Sequence, residues 1–167
     1  MNKSSIWTNK DGLYVGFGPR KVEVNTASAV VAGDSNLRKI VMKIVGTDLP
    51  ATAGAVELAN AVIIPAGAKV LRALLHVDTL FTSGGAATIE VGTYTLADAA
   101  DDEDSLITSA NTLLANIDTT AEEVTGSGVL VGGAPLAAAR KVAVRRTTTT
   151  YTAGVGTVII EYALPAN

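Results

Sequence analysis

Few residues in this chain have side chains that could do chemistry. His76 is the only histidine, and cysteine is absent. His76 and Asp78 lie two apart in an alternating run, which places both side chains on one strand face, close enough to hydrogen-bond. A base oriented by a carboxylate is one half of a hydrolytic triad, but no G-x-S-x-G elbow supplies the nucleophile. A single histidine also lacks the partner ligands of a metal site. His76 is therefore expected at a surface or an interface.

The run Asp98, Asp101, Asp102, Glu103 and Asp104 offers carboxylate oxygens of the kind Ca²⁺ takes. The EF-hand order and its turn glycine are missing, so a solvated acidic loop over 97–104 is the expectation, with Ca²⁺ at a subunit interface as the alternative. Gly16-Phe17-Gly18-Pro19-Arg20 carries one Gly-x-Gly and opens no apolar helix, so its glycines read as those of a close-packed arm. Arg140, Lys141, Arg145 and Arg146 form the one basic patch. Arg145 and Arg146 are adjacent and point to opposite faces of a strand. No aromatic platform is interleaved with them, so pairing with acidic groups of a neighbour is the simpler use. These residues imply no catalytic centre, no cofactor and no metal.

What must position such residues is a set of strands. Over Val70–Phe81, Leu71, Ala73, Leu75, Val77, Thr79 and Phe81 share one face, while Arg72, His76 and Asp78 share the other with Val70, Leu74 and Leu80. The first set predicts a core face, the second a face toward solvent or a partner. Leu37–Val45 repeats the pattern with Ile40, Met42 and Ile44 opposite Lys39, Val41 and Lys43. Val56–Ile64 reads as a strand ending in the turn Pro65-Ala66-Gly67-Ala68. Thr82-Ser83-Gly84-Gly85 separates 70–81 from Ala87–Tyr94 and predicts an antiparallel hairpin. Leu106–Ile117 fits either a short helix capped by Asp104 or Ser105, or loop and strand. Val129–Val131, Lys141–Arg146 and Gly156–Leu164 complete the strands. The last sets Val158, Ile160 and Tyr162 against Ile159 and Glu161.

Short, mostly antiparallel strands in this number predict an all-β antiparallel sandwich of jelly-roll-like form. Residues 1–36 differ from the body over 37–167. They hold Trp7, Tyr14 and Phe17 but too few other large apolar residues for a core of their own, and read as an extended N-terminal arm that must lie on something. A strand over Leu13–Phe17 and a short piece over Lys21–Val24 fit within it.

Composition limits the partners. Among 167 residues the net charge is −3 and charged residues make up 17%, below the usual ~25%. Such a surface fits one covered by other subunits. No basic tract supports a nucleic-acid partner, and no apolar run reaches the ~20 residues that span a bilayer. MNKSSIW runs into polar TNKDG without an apolar core, so no secretory signal is expected.

The stretch IIPAGAKVLRALLHVDTLFTSGGAATIEVGTY, then DEDSLITSANTLL, then YTAGVGTVIIEYAL, resembles small β-sandwich virion proteins of tailed bacteriophages. The matching positions are Pro65–Val70, Thr79–Gly84, Ala87–Gly92, Asp102–Ile107 and Tyr151–Tyr162, within residues 60–164, with Ser105 where glycine is usual. The resemblance implies a non-enzymatic structural protein of the virion. It is most like capsid decoration (cement) proteins, made in the host cytoplasm and placed on the capsid surface. The implied partners are the major capsid protein and further copies of the chain, as a homotrimer, with neither nucleic acid nor membrane. Trp7, Tyr14 and Phe17 would anchor the arm on a capsid or neighbouring subunit, or fold back on their own core. Arg72, His76, Asp78, Arg145 and Arg146 would be interface charges. The alternative role is a head-fibre or tail-associated adaptor or receptor-binding module, for which the body offers few aromatic faces: Phe81, Tyr94, Tyr151 and Tyr162.

Overall fold

Alternation of apolar and polar residues converts directly into layers here. The computed structural model describes residues 6–8, 14–16, 23–25, 29–32, 36–50, 62–97 and 100–165, with backbone only for the first four segments and for 100–101. Twelve strands occur in it: β1 (Ile6–Thr8), β2 (Tyr14–Gly16), β3 (Glu23–Asn25), β4 (Ala29–Ala32), β5 (Leu37–Val45), β6 (Ile63–Ile64), β7 (Lys69–Ser83), β8 (Ala87–Thr95), β9 (Ala100–Ile107), β10 (Glu123–Thr125), β11 (Arg140–Thr148) and β12 (Tyr151–Ala163). A six-stranded sheet has the order β10-β7-β12-β5-β4-β3, and a four-stranded sheet has the order β6-β11-β8-β9. β1 and β2 pair only with each other. All pairings are antiparallel.

From β5 onward the pairing is nested: β5 with β12, β6 with β11, β7 with β10, β8 with β9. Successive strands cross between the sheets except at the innermost pair, β8 and β9. This is a long two-stranded ribbon of one chain wrapped around a core, the jelly roll expected from the strand pattern. The β3–β4 pair extends the larger sheet beyond that ribbon through β4 and β5.

The core lies between the inner faces. β5 gives Ile40, Met42 and Ile44, β7 gives Ala73, Leu75, Val77 and Phe81, and β12 gives Val158, Ile160 and Tyr162. They meet Ile89 and Val91 of β8 and Val142 and Val144 of β11. Each such aliphatic side chain contributes roughly 1.5–3 kcal/mol by leaving water. Phe81 and Tyr151 close one end, edge to face with centroids 5.3 Å apart.

Several expectations need correction. The turn at Gly84-Gly85 joins no hairpin, because β7 and β8 lie in different sheets and face each other across the core. Strand length decides this: β8 pairs with β11 along nine residues each, and β7, at fifteen residues, pairs with the thirteen of β12. Leu71, expected in the core, is 44% exposed, and Val70 takes the inward place at 1%. A bulge between Glu161 and Tyr162 in the β7–β12 ladder shifts the alternation there. A second irregularity, between Val155 and Gly156, leaves Thr79 exposed.

The acidic segment is largely strand β9 rather than a loop. No helix follows it: β9 ends at Ile107 and gives way to turns and a single 3₁₀ turn over Leu114–Asn116. Its polar side chains bond to backbone instead of leaving it to a helix. The Oδ1 of Asn111 accepts from the Thr108 and Ser127 amides, both at 3.1 Å. The Thr112 hydroxyl receives the Ile89 amide at 2.9 Å and donates to the Ile89 carbonyl at 2.5 Å. Val129–Val131 is turn, and the strand nearby is β10 instead. Of Val56–Ile64, only β6 is described as strand, and 56–61 lie outside the described residues.

The segment after β10 leaves the larger sheet and caps the edge of the smaller one. Gly128 donates to Leu106 O at 3.3 Å and Leu130 to Ser105 O at 3.0 Å. This crossing requires glycine at 128, because a Cβ there would overlap the backbone of Ser105. Gly128→Ala should destabilise the protein by about 2–3 kcal/mol, read as a lower midpoint in chemical denaturation. Tyr151 presents a second test. Its hydroxyl is buried and reaches no hydrogen-bond partner among the described residues, and burial pushes its pKa well up. The neutral phenol therefore contributes stability that is full below the unfolded tyrosine pKa of about 10 and declines as pH rises above it. Tyr151→Phe should stabilise by about 1 kcal/mol at neutral pH and remove that part of the alkaline loss.

Candidate assembly surfaces

The outer face of the larger sheet is organised in rows running across its strands. Glu161 of β12 lies between Lys39 of β5 and Arg72 of β7. The next outward row is Val41, Ile159, Leu74 and Thr125, and the one after it is Lys43, Thr157, His76 and Glu123. The strand period thus collects Arg72, His76 and Asp78 on one face, with Leu74 between them.

The chemistry of this face is that of solvated charge. His76 Nε2 stands 3.7 Å from Asp78 Oδ1, and its Nδ1 stands 3.8 Å from Glu123 Oε1. Both distances exceed hydrogen-bond length. Thr157, the cross-strand partner of His76, donates its hydroxyl hydrogen to Asp78 Oδ2 at 2.7 Å. The carboxylate is therefore turned toward a threonine rather than orienting an imidazole for base catalysis. Arg72 approaches Glu123 at 3.9 Å with both side chains about half exposed, a pair worth little in water.

The outer face of the smaller sheet is different. Arg145 of β11 lies directly opposite Glu90 of β8. Its Nε and one terminal nitrogen each reach Glu90 Oε2 at 2.5 Å, its other terminal nitrogen donates to Glu103, and the Tyr94 hydroxyl donates to the same Glu103 carboxylate. Glu90 is only 6% exposed. Burial works against the Arg145 charge, but the hydrogen bond it donates to Glu90 and the fields of Glu90 and Glu103 outweigh it and hold the guanidinium pKa above its ordinary value. Gly92 makes the arrangement possible. The β8–β9 register jumps from Val91·Ile107 to Thr93·Asp102, and the intervening β9 backbone lies against Gly92, where a Cβ would overlap Glu103. That bulge carries Glu103 to Arg145 and Tyr94.

Arg145 thus finds its acids within its own chain. Arg146 points elsewhere, as adjacent strand residues must, and its Nε donates to Leu49 O at 3.1 Å. Glu90, Tyr94 and Glu103 are functional neighbours that spacing along the chain does not reveal. The available signal is that Glu90 is the only charge in β8, on the face opposite Ile89 and Val91. Among the described residues, no three histidine or acidic side chains converge as a metal site would need. Asp98 lies outside the described residues. In the arm, Trp7 of β1 pairs in register with Val15 and Tyr14 of β2 with Thr8, while Phe17 lies outside the described residues.

Removing Arg145 should leave Glu90 as a buried, uncompensated charge. Arg145→Met is expected to cost about 3 kcal/mol, and adding Glu90→Gln to recover at least ~1 kcal/mol of it, measured as a double-mutant cycle in denaturant. Costs of the Arg145→Met and Glu90→Gln single variants that simply add in the double variant would show that the pair is not coupled.

No protein-family model matches the chain, and no curated protein matches it by sequence. Solved structures do. A chain of the acidic stable capsid structure of Helicobacter pylori bacteriophage KHP30 superposes with a TM-score of 0.57 at 17% identity, covering 79% of this chain and 90% of that one. A chain of the capsid asymmetric unit of cyanophage Pam1 gives a TM-score of 0.49 at 22% identity, covering 95% and 98%. The capsid of Ralstonia phage GP4 gives 0.46 at 17%, covering 89% and 93%. The chain therefore shares its wrapped β-sandwich fold with a chain of the KHP30 capsid structure.

Proposed function

We propose that this chain is a non-enzymatic structural protein of a phage virion, and specifically a capsid decoration protein that binds the outer shell and stabilises it. The observation that carries this reading is the nested jelly roll, shared over most of both chains with a component of the KHP30 capsid structure. The site chemistry agrees with it. The one histidine sits among exposed charges with its neighbouring carboxylate engaged by Thr157, and the buried Glu90–Arg145 cluster is compensated within the chain.

The mechanism is thermodynamic linkage. A protein that binds the mature shell and not its alternatives stabilises that shell by RT ln(1 + [L]/Kd), about 2.7 kcal/mol per site at a hundredfold excess over Kd. Copies assembled as a homotrimer engage several sites of the lattice at once and gain avidity. In this reading the arm supplies the anchor through Trp7, Tyr14 and Phe17, since aromatic residues commonly dominate interface energy. An isolated two-stranded pair such as β1–β2 is marginal in water, so a surface to lie on would complete it.

The test is co-sedimentation with capsids lacking the protein. The full chain should bind saturably. Deleting residues 1–20 should abolish binding while near-native circular dichroism shows the body still folded. Retained binding by the truncated protein would remove the arm from the mechanism, and a full chain that ignores the shell would place it on the tail or a fibre instead.

A further inference from the structure

Both ring nitrogens of the one histidine face carboxylate oxygens. Nε2 of His76 stands 3.7 Å from Asp78 Oδ1 on the same strand, and Nδ1 stands 3.8 Å from Glu123 Oε1 on β10, directly opposite in register. The second oxygen of each carboxylate turns away from the ring. Asp78 Oδ2 accepts from the Thr157 hydroxyl at 2.7 Å, and Glu123 Oε2 lies 3.9 Å from a terminal nitrogen of Arg72. Arg72, Glu123, His76, Asp78 and Thr157 therefore form one chain of polar groups across β10, β7 and β12. A neutral imidazole has one N–H and one bare lone pair, so one of the two carboxylates would meet a lone pair. Only the imidazolium donates on both sides. With that proton the charges alternate in sign along the chain; without it two acids share one arginine.

We propose that His76 is a pH-sensitive clasp: when protonated it bridges Asp78 and Glu123 and fastens the edge strand β10 to β7. The three side chains are partly exposed and free to close the remaining gap. β10 has only three residues and ends the larger sheet. Around it the contact with β7 rests on single backbone bonds, from Ala121 to Val77 O, from Val77 to Glu122 O and from Gly126 to Ala73 O, each 2.8 Å. The chain then crosses to the smaller sheet, where Gly128 and Leu130 bond to β9. A clasp on β10 holds the start of that crossing.

Among the described residues, the other charges near His76 on this face are Arg72 of β7, which turns to Glu123, Glu161 of β12, beside Arg72, and Lys43 of β5, beyond Thr157. Lys43 is two strand spacings from β7, about 10 Å and about one Debye length in ordinary salt. The two carboxylates are the near neighbours, and they favour the charged ring. The bridge exists only for that form. Its stabilisation is complete well below the value of about 6.5 at which an unfolded histidine titrates, and is lost as pH rises.

The test is denaturant unfolding of the full chain and of His76→Gln from about pH 5 to about pH 8, on either side of that value. The exposed substitution should leave the circular dichroism unchanged. The folded-to-unfolded ratio of the wild type relative to the variant should be about threefold higher at the acid end than at the alkaline end. The same comparison in an Asp78→Asn/Glu123→Gln background should lose that pH dependence. A ratio that does not change with pH would overturn the clasp. So would a pH dependence that survives removal of both carboxylates, since other groups would then be its cause. No capsid enters the measurement, so its outcome is separate from whether the chain binds a shell.

Discussion

The ladder between Lys69–Ser83 and Tyr151–Ala163 is the constraint on which the rest of the molecule depends. β12 lies between β7 and β5, and its inward residues Val158, Ile160 and Tyr162 are buried against both neighbours. Fixing β12 against β7 fixes the rows on the outer face, because Glu161, Ile159 and Thr157 each align one residue of β5 with one of β7. It also determines the two bulges that move Leu71 and Thr79 outward. The partners are far apart in sequence, so the larger sheet forms only after a large loop has closed, a cost typical of nonlocal β topologies.

Strands with strict alternation were legible in the sequence. β5, β7, β8, β11 and β12 declare themselves through period-2 runs, and the inward residues of β5 and β12 are those the runs predict. What failed was mainly nonlocal. A Gly-Gly turn between two alternating runs encodes a reversal of direction, but whether the arms pair or face each other depends on which later strands match their lengths. β9 escaped notice because the acidic residues that suggested a loop are tolerated on an edge strand, one covered here by residues 128–130. At 108–117 the apolar spacing suited a helix, while Asn111 and Thr112 direct their side chains to the backbone.

The charge clusters show the same division. Arg145 could be singled out by its charge, yet its acids lie 55 and 42 residues away and reach it only through strand register and the bulge at Gly92. Register is a property of the folded sheet, so no local spacing foretells the cluster. Arg72, His76 and Asp78 sit on one strand, and there the period alone was enough.

These differences bear on what the surfaces can do. A charge compensated within its own chain has little left to offer a partner, since breaking a buried pair costs more than a new contact returns. The Arg145 cluster therefore reads as a device that holds β8, β9 and β11 in register. On the larger sheet Arg72 and Glu123 are exposed and only loosely paired, so they can be re-paired at small cost. The loop between β10 and β11 has no charge to desolvate at all. If a protein works by staying folded and binding many identical neighbours, internal charge should be tied down, and contact surfaces should be inexpensive to dehydrate.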